Sequence, residues 1–396
     1  MIYSTIRSTA KIVTIALFST ALSATPLSAL YTEPSTTAYA ATSSITQSTI
    51  QVMLNENNIT QDLQTPPVMI KGSVYLPLRE ISQKVGIHTY WNASQHTITL
   101  TYPKYLTELN VQKGTVKVNT KVKNLPQAIV TIKNITYVPA RMIAEASGQQ
   151  VNWNSKKKLI TFKSDITFAK ANSKTATIWF NNQNNELYFS SSAFTTPVLA
   201  GKLNNKLENV SRLQVYDVNT GGHVVEWLDN YGEPSINYDF YTAFIKDDKI
   251  VRQANVDYWQ RYDDNVFQYK DNAVLVNKDT LEFLDSEGKI TSTRNLATLA
   301  GIKTNYSVVG ISDHYLIVRP NHTGLLTLIN LRNKSSILLY KELLNKEEQE
   351  YCEDNDVPYH GDDLLFTGEN KSGALTFENH GYSTSGVKKY VYTIKD

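Results

Sequence analysis

One stretch of this chain occurs twice. Residues 71–100 read KGSVYLPLREISQKVGIHTYWNASQHTITL and residues 133–162 read KNITYVPARMIAEASGQQVNWNSKKKLITF, aligning without a gap at an offset of about 62 residues. Lys71, Tyr75, Pro77, Arg79, Ile81, Gly86, Trp91, Asn92, Ile98 and Thr99 recur as Lys133, Tyr137, Pro139, Arg141, Ile143, Gly148, Trp153, Asn154, Ile160 and Thr161. Each copy reads as strand, helix, hairpin. Val74-Tyr75-Leu76 is a short apolar run, and the residue ahead of a proline is held extended by the ring. Pro77 suits a first helical position, where its missing N–H costs nothing. Leu78, Ile81, Ser82 and Val85 then share one helical face, and Gly86 can take the left-handed geometry that ends a helix. Ala140, Ile143, Ala144 and Ser147 repeat that face, with Gly148 as the stop. Tyr90-Trp91 and residues 98–100 flank a polar turn at 92–96, and Trp153 with residues 160–162 flank one at 154–158, which predicts a hairpin in each copy.

A further hairpin opens each copy: Val52-Met53-Leu54 with a turn at 55–58, and Val116-Lys117-Val118 with a turn at 119–121. Residues 101–113 read as the connection between copies. The two halves should superpose about a pseudo-two-fold axis, Trp91 on Trp153. The pattern Tyr-(Val/Leu)-Pro-x-Arg, about seven residues of helix, Gly, then Trp-Asn and a hairpin, resembles the copper amine oxidase N-terminal-like domain, the stalk module of secreted proteins of Gram-positive bacteria. The resemblance spans residues 51–164, with repeats at 51–100 and 114–162. It implies an α+β fold in which a curved antiparallel sheet wraps on helices, with Trp91 and Trp153 in the core of their halves. Arg79 and Arg141 are expected to find carboxylates or backbone near their helix starts. The resemblance implies neither copper nor catalysis in the module itself.

At 396 residues the chain holds two ordinary domains, and 41% hydrophobic with 19% charged residues is a globular composition. The net charge of +2 gives no bulk attraction for nucleic acid or membrane. The 24 Tyr against 12 Phe, amid much Asn, Thr and Ser, fit extracellular β structure. Arg7 and Lys11 lead an apolar run over 12–24, too short to span a bilayer, and Ala38-Tyr39-Ala40 is a small-x-small cleavage pattern. These predict a signal peptide over 1–40, a mature chain from Ala41, a linker over 41–50 and an extracellular or cell-surface address. Leu27-Ser28-Ala29 is a rival cleavage site, and an uncleaved anchor is the alternative. Cys352 is the only cysteine, so no intramolecular disulfide forms, and its acidic setting at 347–356 predicts an unreactive thiol.

Beyond Phe162 short strands dominate. Residues 281–284, 326–329 and 374–377 recur about every 46 residues, each with a strand before it (273–276, 314–318, 364–366) and a turn and third strand after it. Residues 178–180 with 187–189, and 213–216 with 223–227, are earlier units. The spacing predicts an all-β domain over 165–396, read as a β-propeller of about five blades, with a pair of sandwiches or a β solenoid as the alternatives. Residues 228–270 and 341–363 read as insertions.

Within the first insertion, Tyr238, Tyr241, Tyr258, Trp259 and Tyr262, with Phe240, are the candidate binding residues: an aromatic platform for a sugar or similar ligand, with Asp263 and Asp264 as polar contacts. The competing reading makes alternate residues core. Asn237-Tyr238-Asp239 matches the segment in which amine oxidases build a quinone, but the family's Thr three residues before the Asn is Pro234 here. The seven histidines contain no His-x-His pair to begin a copper site, so no metal, cofactor or amine oxidase activity is expected. Gly310-Ile311-Ser312-Asp313-His314 lacks the second Gly of a nucleophile elbow. Asp354 and Asp356 begin like a calcium loop, but Tyr359 stands where Gly is needed.

The expected protein is therefore a secreted or cell-surface, non-catalytic one, a stalk or anchor module carrying a β-rich binding platform. Its expected partners are a cell-wall polymer, a carbohydrate or another surface protein. The alternative is an extracellular polysaccharide hydrolase or lyase whose carboxylates lie in the β domain. Lys156-Lys157-Lys158 could also touch a wall polymer, although a lysine-rich hairpin tip is commonly just solvated.

Overall fold

A computed structural model describes residues 50–396 except 126–128, 193–194, 220, 355–360, 382–385 and 396. The expected signal peptide and all but the last residue of the expected linker lie outside the described residues. The two repeated stretches take the same local course. Strand Ser73–Pro77 runs into helix α1, Leu78–Lys84, and on to strands His88–Asn92 and Thr97–Tyr102; strand Ile135–Pro139 runs into helix α2, Ala140–Ser147, and on to Gln150–Asn154 and Leu159–Lys163. The hairpin registers are equivalent, His88 opposite Thr101 and Gln150 opposite Lys163. Both prolines sit one residue earlier than the sequence suggests, as extended residues capping the helix start rather than as its first turn. Gly148 ends α2 at φ 65°, a conformation that penalises any side chain.

The strands before the two helices pair antiparallel, Tyr75 with Pro139, Leu76 with Val138 and Pro77 with Tyr137. Leu76 and Val138 are equivalent positions of the duplication, so the ladder carries its local symmetry. Two features depart from the linear reading. Residues 101–113 are no plain connection: Tyr105–Asn110 is the central strand of a five-stranded antiparallel sheet spanning 88–124. Strand Gln51–Leu54 crosses to the second copy and pairs parallel with Leu159–Lys163. Around α1 and α2 these elements close one core containing Leu76, Ile81, Leu100, Val138, Ile143 and Phe162.

The tryptophans part company. Trp153 packs against that core, whereas Trp91 is 49% exposed, with its ring set roughly edge-to-face with His96. The expectation that both are core residues is corrected for Trp91: the backbone position is shared, but what covers it is not. Arg79 and Arg141 are both exposed.

From Phe168 onward the described chain forms five successive antiparallel sheets, each hydrogen-bonded in sequence order. They span 168–202, 210–259, 268–295, 306–338 and 364–392, with four strands in each except the last, which has three. Residues 228–270 are not an insertion. They supply most of the second sheet, whose strands His223–Tyr231, Asn237–Lys246 and Lys249–Trp259 are 9, 10 and 11 residues long, against 4 to 6 for most strands elsewhere in the β region. Residues 341–363 do interrupt the series, with helices α4, Leu339–Leu343, and α5, Lys346–Asp354, following the short α3, Leu296–Ala300.

Side chains alternating on each strand pack sheet against sheet, the consequence of the two-residue period of a strand. Ile178, Phe180 and Trp227 fill the space between the first two sheets. On the other face of the first sheet, Trp179 is fully buried and its Nε1 donates to the Gly86 carbonyl at 2.7 Å. Phe168 lies edge-on between Tyr102 and Tyr188, and Lys170 Nζ donates to the Ile87 carbonyl at 2.8 Å. Burial lowers the Lys170 pKa to about 8. The described residues from 50 onward fall in one compact unit.

Candidate functional site

The structure separates the candidate aromatic residues. Along Asn237–Lys246, Tyr238 and Phe240 face the third and fourth sheets, while Tyr241 faces the opposite way, beside Trp227. Tyr258 pairs with Tyr238 across the ladder and is 2% exposed, its hydroxyl donating to the Tyr306 carbonyl at 2.8 Å. Tyr262 folds back onto Tyr238 and Phe240 at 4.8 Å from each. Only Trp259 is largely exposed, at 53%. The expected platform is therefore corrected: alternation sends its members to different faces, and four of the five pack into the sheet interfaces. Tyr258→Ala is expected to cost roughly 3–5 kcal/mol, against under about 0.5 kcal/mol for Trp259→Ala. Urea unfolding of the two variants checks this contrast.

Asp263 and Asp264, expected as ligand contacts, are held in ion pairs. Asp263 accepts from Arg319 Nε at 2.6 Å, and Asp264 from Arg212 Nη2 at 2.6 Å. Arg212 Nη2 also donates to buried Glu226 at 2.9 Å, and its guanidinium lies over the Phe240 ring. Desolvation is the chief cause of a Glu226 pKa raised to about 7, only partly opposed by Arg212. Arg212 itself is pushed up by its two carboxylates. Both values move up, which disfavours the charged form of Glu226 but favours that of Arg212, and the geometry explains why. Arg212 has two acidic partners and access to solvent, while Glu226 has one basic partner and almost no water. The void beside Glu226, lined by Phe240, Thr242 and Asn265, has room for one water at most, about 10 Å³.

Other candidates resolve simply. Cys352 is buried, and burial followed by Asp362 and Asp363 raises its thiol pKa to about 12. Ser312 lies in a strand-to-strand turn, its hydroxyl accepting from the His314 and Tyr315 amides. Asp356 and Tyr359 lie outside the described residues. No three His, Cys, Asp or Glu converge as a metal site among the described residues. Lys156, Lys157 and Lys158 form an exposed hairpin tip.

A roomier concavity than the void at Glu226 lies elsewhere, in the duplicated module. A groove of about 670 Å³ runs between α2 and the edge strand Lys121–Asn124. Tyr105, Val118, Ala144 and Val151 contribute apolar lining; Lys121, Lys123 and Arg141 supply cations, and Glu145 is the acidic group. Lys123 Nζ contacts Glu145 at 2.5 Å. The sequence reading missed this site because the whole-chain charge hides a division. Residues 51–164 hold 14 Lys and Arg against 5 Asp and Glu, net +9; residues 165–396 hold 23 against 31, net −8. Counting charge by segment would have exposed it.

The sequence model of the copper amine oxidase N-terminal domain family matches residues 53–162. No curated protein matches the chain. Solved structures with some likeness include a protein of unknown function from Bacteroides caccae, 8% identical over 71% of this chain and 81% of that one, TM-score 0.23. Hsv2 of Kluyveromyces lactis is 13% identical over 63% and 95%, TM-score 0.22. YCF48 from Cyanidioschyzon merolae is 8% identical over 73% and 91%, TM-score 0.24. Likenesses this low say nothing of activity.

Proposed function

We propose that this is a non-catalytic binding protein of the bacterial cell surface, exported by its N-terminal signal. In this reading residues 51–164 form an α+β stalk of two halves, and the five sheets are the blades of a propeller that presents the binding surface. The family match at 53–162 and the symmetric ladder around Leu76 and Val138 support the stalk. Sequence-ordered sheets of three or four strands support the blades.

The observation that carries the non-catalytic reading is the fate of the buried carboxylates. Among the described residues, Glu226, Asp229, Glu282, Glu348 and Asp362 are buried. Each is engaged: Glu226 by Arg212, Asp229 by the amides of Glu208 and Asn209, Glu282 by Arg252, Glu348 by Lys388 and Asp362 by Arg319. A glycosidase needs two carboxyl groups facing its sugar, about 5–10 Å apart. Glu226 is the strongest argument for the hydrolase alternative, since a carboxyl protonated near neutrality is a general acid in waiting. Its surroundings admit no sugar.

Purified mature protein incubated with acidic and neutral polysaccharides between pH 4 and 8 is expected to release neither reducing ends nor unsaturated uronates. Turnover abolished by Glu226→Gln would establish the enzyme instead.

A further inference from the structure

We propose that the groove between α2 and the strand Lys121–Asn124 binds a linear anionic sugar polymer, one bearing a phosphate or carboxylate on each repeat. This deepens the binding-protein reading and rests on it.

Strand register aims the lysines. Lys121 lies opposite Val118 and Lys123 opposite Val116, so all four share a face. Val116 is a core residue and Val118 packs on that core, which directs Lys121 and Lys123 across α2 rather than away from it. The Lys123–Glu145 contact confirms the direction. Arg141 stands one turn before Glu145 on the same helical face and meets the lysines from the other wall. Lys121 and Arg141 carry no ion pair among the described residues, so the groove keeps two uncompensated cations within a module of net charge +9.

Lysines on an edge strand also discourage pairing with another sheet. That role accounts for Lys121 and Lys123 but not for an arginine facing them from a helix, nor for the surplus across the module. A fixed excess of charge repels itself, and an anionic partner relieves it.

Shape selects among polyanions. Apolar lining by Val118, Ala144 and Val151 suits the apolar faces of a sugar chain, and the concavity does not match a flat bilayer. Nucleic acid single strands are held by successive stacking aromatics. The one aromatic in the groove, Tyr105, is packed on Gly148 so closely that a Cβ there would lie 2.5 Å from the phenol oxygen.

The test uses full-length mature protein with five probes: dextran phosphate, polygalacturonate, neutral dextran, single-stranded DNA, and vesicles of phosphatidylglycerol. Binding is expected to one or both acidic sugar polymers, weakening steeply with salt, with none to dextran. Removing groove cations should weaken a charge-driven complex by about tenfold or more in Lys121→Glu/Arg141→Glu, and by under about threefold in Lys156→Glu/Lys157→Glu, which makes the same charge change at the hairpin tip. Equal losses in the two variants, no binding at low salt, or tighter capture of DNA or vesicles would each overturn the proposal. Reducing ends counted in the same mixtures keep the two ideas apart: turnover sinks the non-catalytic reading, and absent binding without turnover sinks the groove alone.

Discussion

Arg319→Met is expected to destabilise the β domain by about 4 kcal/mol, the scale of breaking a buried ion pair and leaving one member charged. Arg319 lies in the fourth sheet and is 2% exposed. Its guanidinium reaches three separate segments. Nε donates to Asp263 in the loop after the second sheet, Nη1 to the Gly324 carbonyl and to Asp362 at 3.0 Å, and Nη2 to the Leu364 carbonyl at the start of the fifth sheet. Two carboxylates hold the guanidinium charged against its desolvation. Methionine fills much of the volume but leaves Asp362, which has no exposure, without its cation, and takes one donor from each of the Gly324 and Leu364 carbonyls. Arg319→Lys keeps the charge yet lacks the planar fork, so it should recover only part of the loss. Adding Asp362→Asn to Arg319→Met should restore about 1–2 kcal/mol by removing the uncompensated charge, a non-additivity expected of one network. Urea midpoints of the single and double variants check this. A methionine variant within about 1 kcal/mol of wild type would mean that the knot contributes little.

Glu226→Gln is expected to flatten the acid side of the stability profile. The Glu226 carboxyl has a folded pKa of about 7 against an ordinary 4.5. Between those values the folded protein holds a proton that the unfolded chain has released, so stability falls as pH rises through the window. The contribution is complete below about pH 4.5 and gone above about pH 7, and its size is on the order of 3 kcal/mol at about 1.4 kcal/mol per pH unit. Glutamine cannot ionise, and its amide oxygen can still accept from Arg212, which keeps Asp264 as a counter-charge. Subtracting the variant's unfolding midpoints from those of wild type at pH 4.5, 5.5, 6.5 and 7.5 isolates this residue, because the other titrating groups cancel. The stability of wild type relative to the variant should fall by about 3 kcal/mol between pH 4.5 and pH 7.5. Parallel profiles would mean that Glu226 is ionised throughout and that Arg212 outweighs its burial.

The sequence by itself determined what depends on neighbours along the chain. Proline after an apolar run, a helical face at three- and four-residue spacing, and a stop at Gly86 or Gly148 specified strand, helix and hairpin in each copy. The recurring strands expected at 281–284, 326–329 and 374–377 overlap Thr280–Leu284, Thr327–Asn330 and Leu375–Asn379. The raised thiol pKa of Cys352 was legible in direction, although burial is its first cause, followed by Asp362 and Asp363 beyond the acidic stretch at 347–356. Even the fate of the aromatic residues was partly written in their alternation, since Tyr238 and Phe240 must oppose Tyr241 on any strand.

Tertiary structure alone decided what those faces meet. Trp91 and Trp153 share a motif and a hairpin register, yet one is half exposed and the other packs on the core, because a local pattern does not specify its cover. Asp263 and Asp264 are adjacent in sequence but bind arginines 56 and 52 residues away. The groove joins a strand at 121–124 to a helix at 140–147, and its charge stands out only when the basic module is counted apart from its acidic neighbour. Contacts between distant segments carry no short-range signature, so burial, ion pairing and the shape of a surface emerge only when the chain closes on itself.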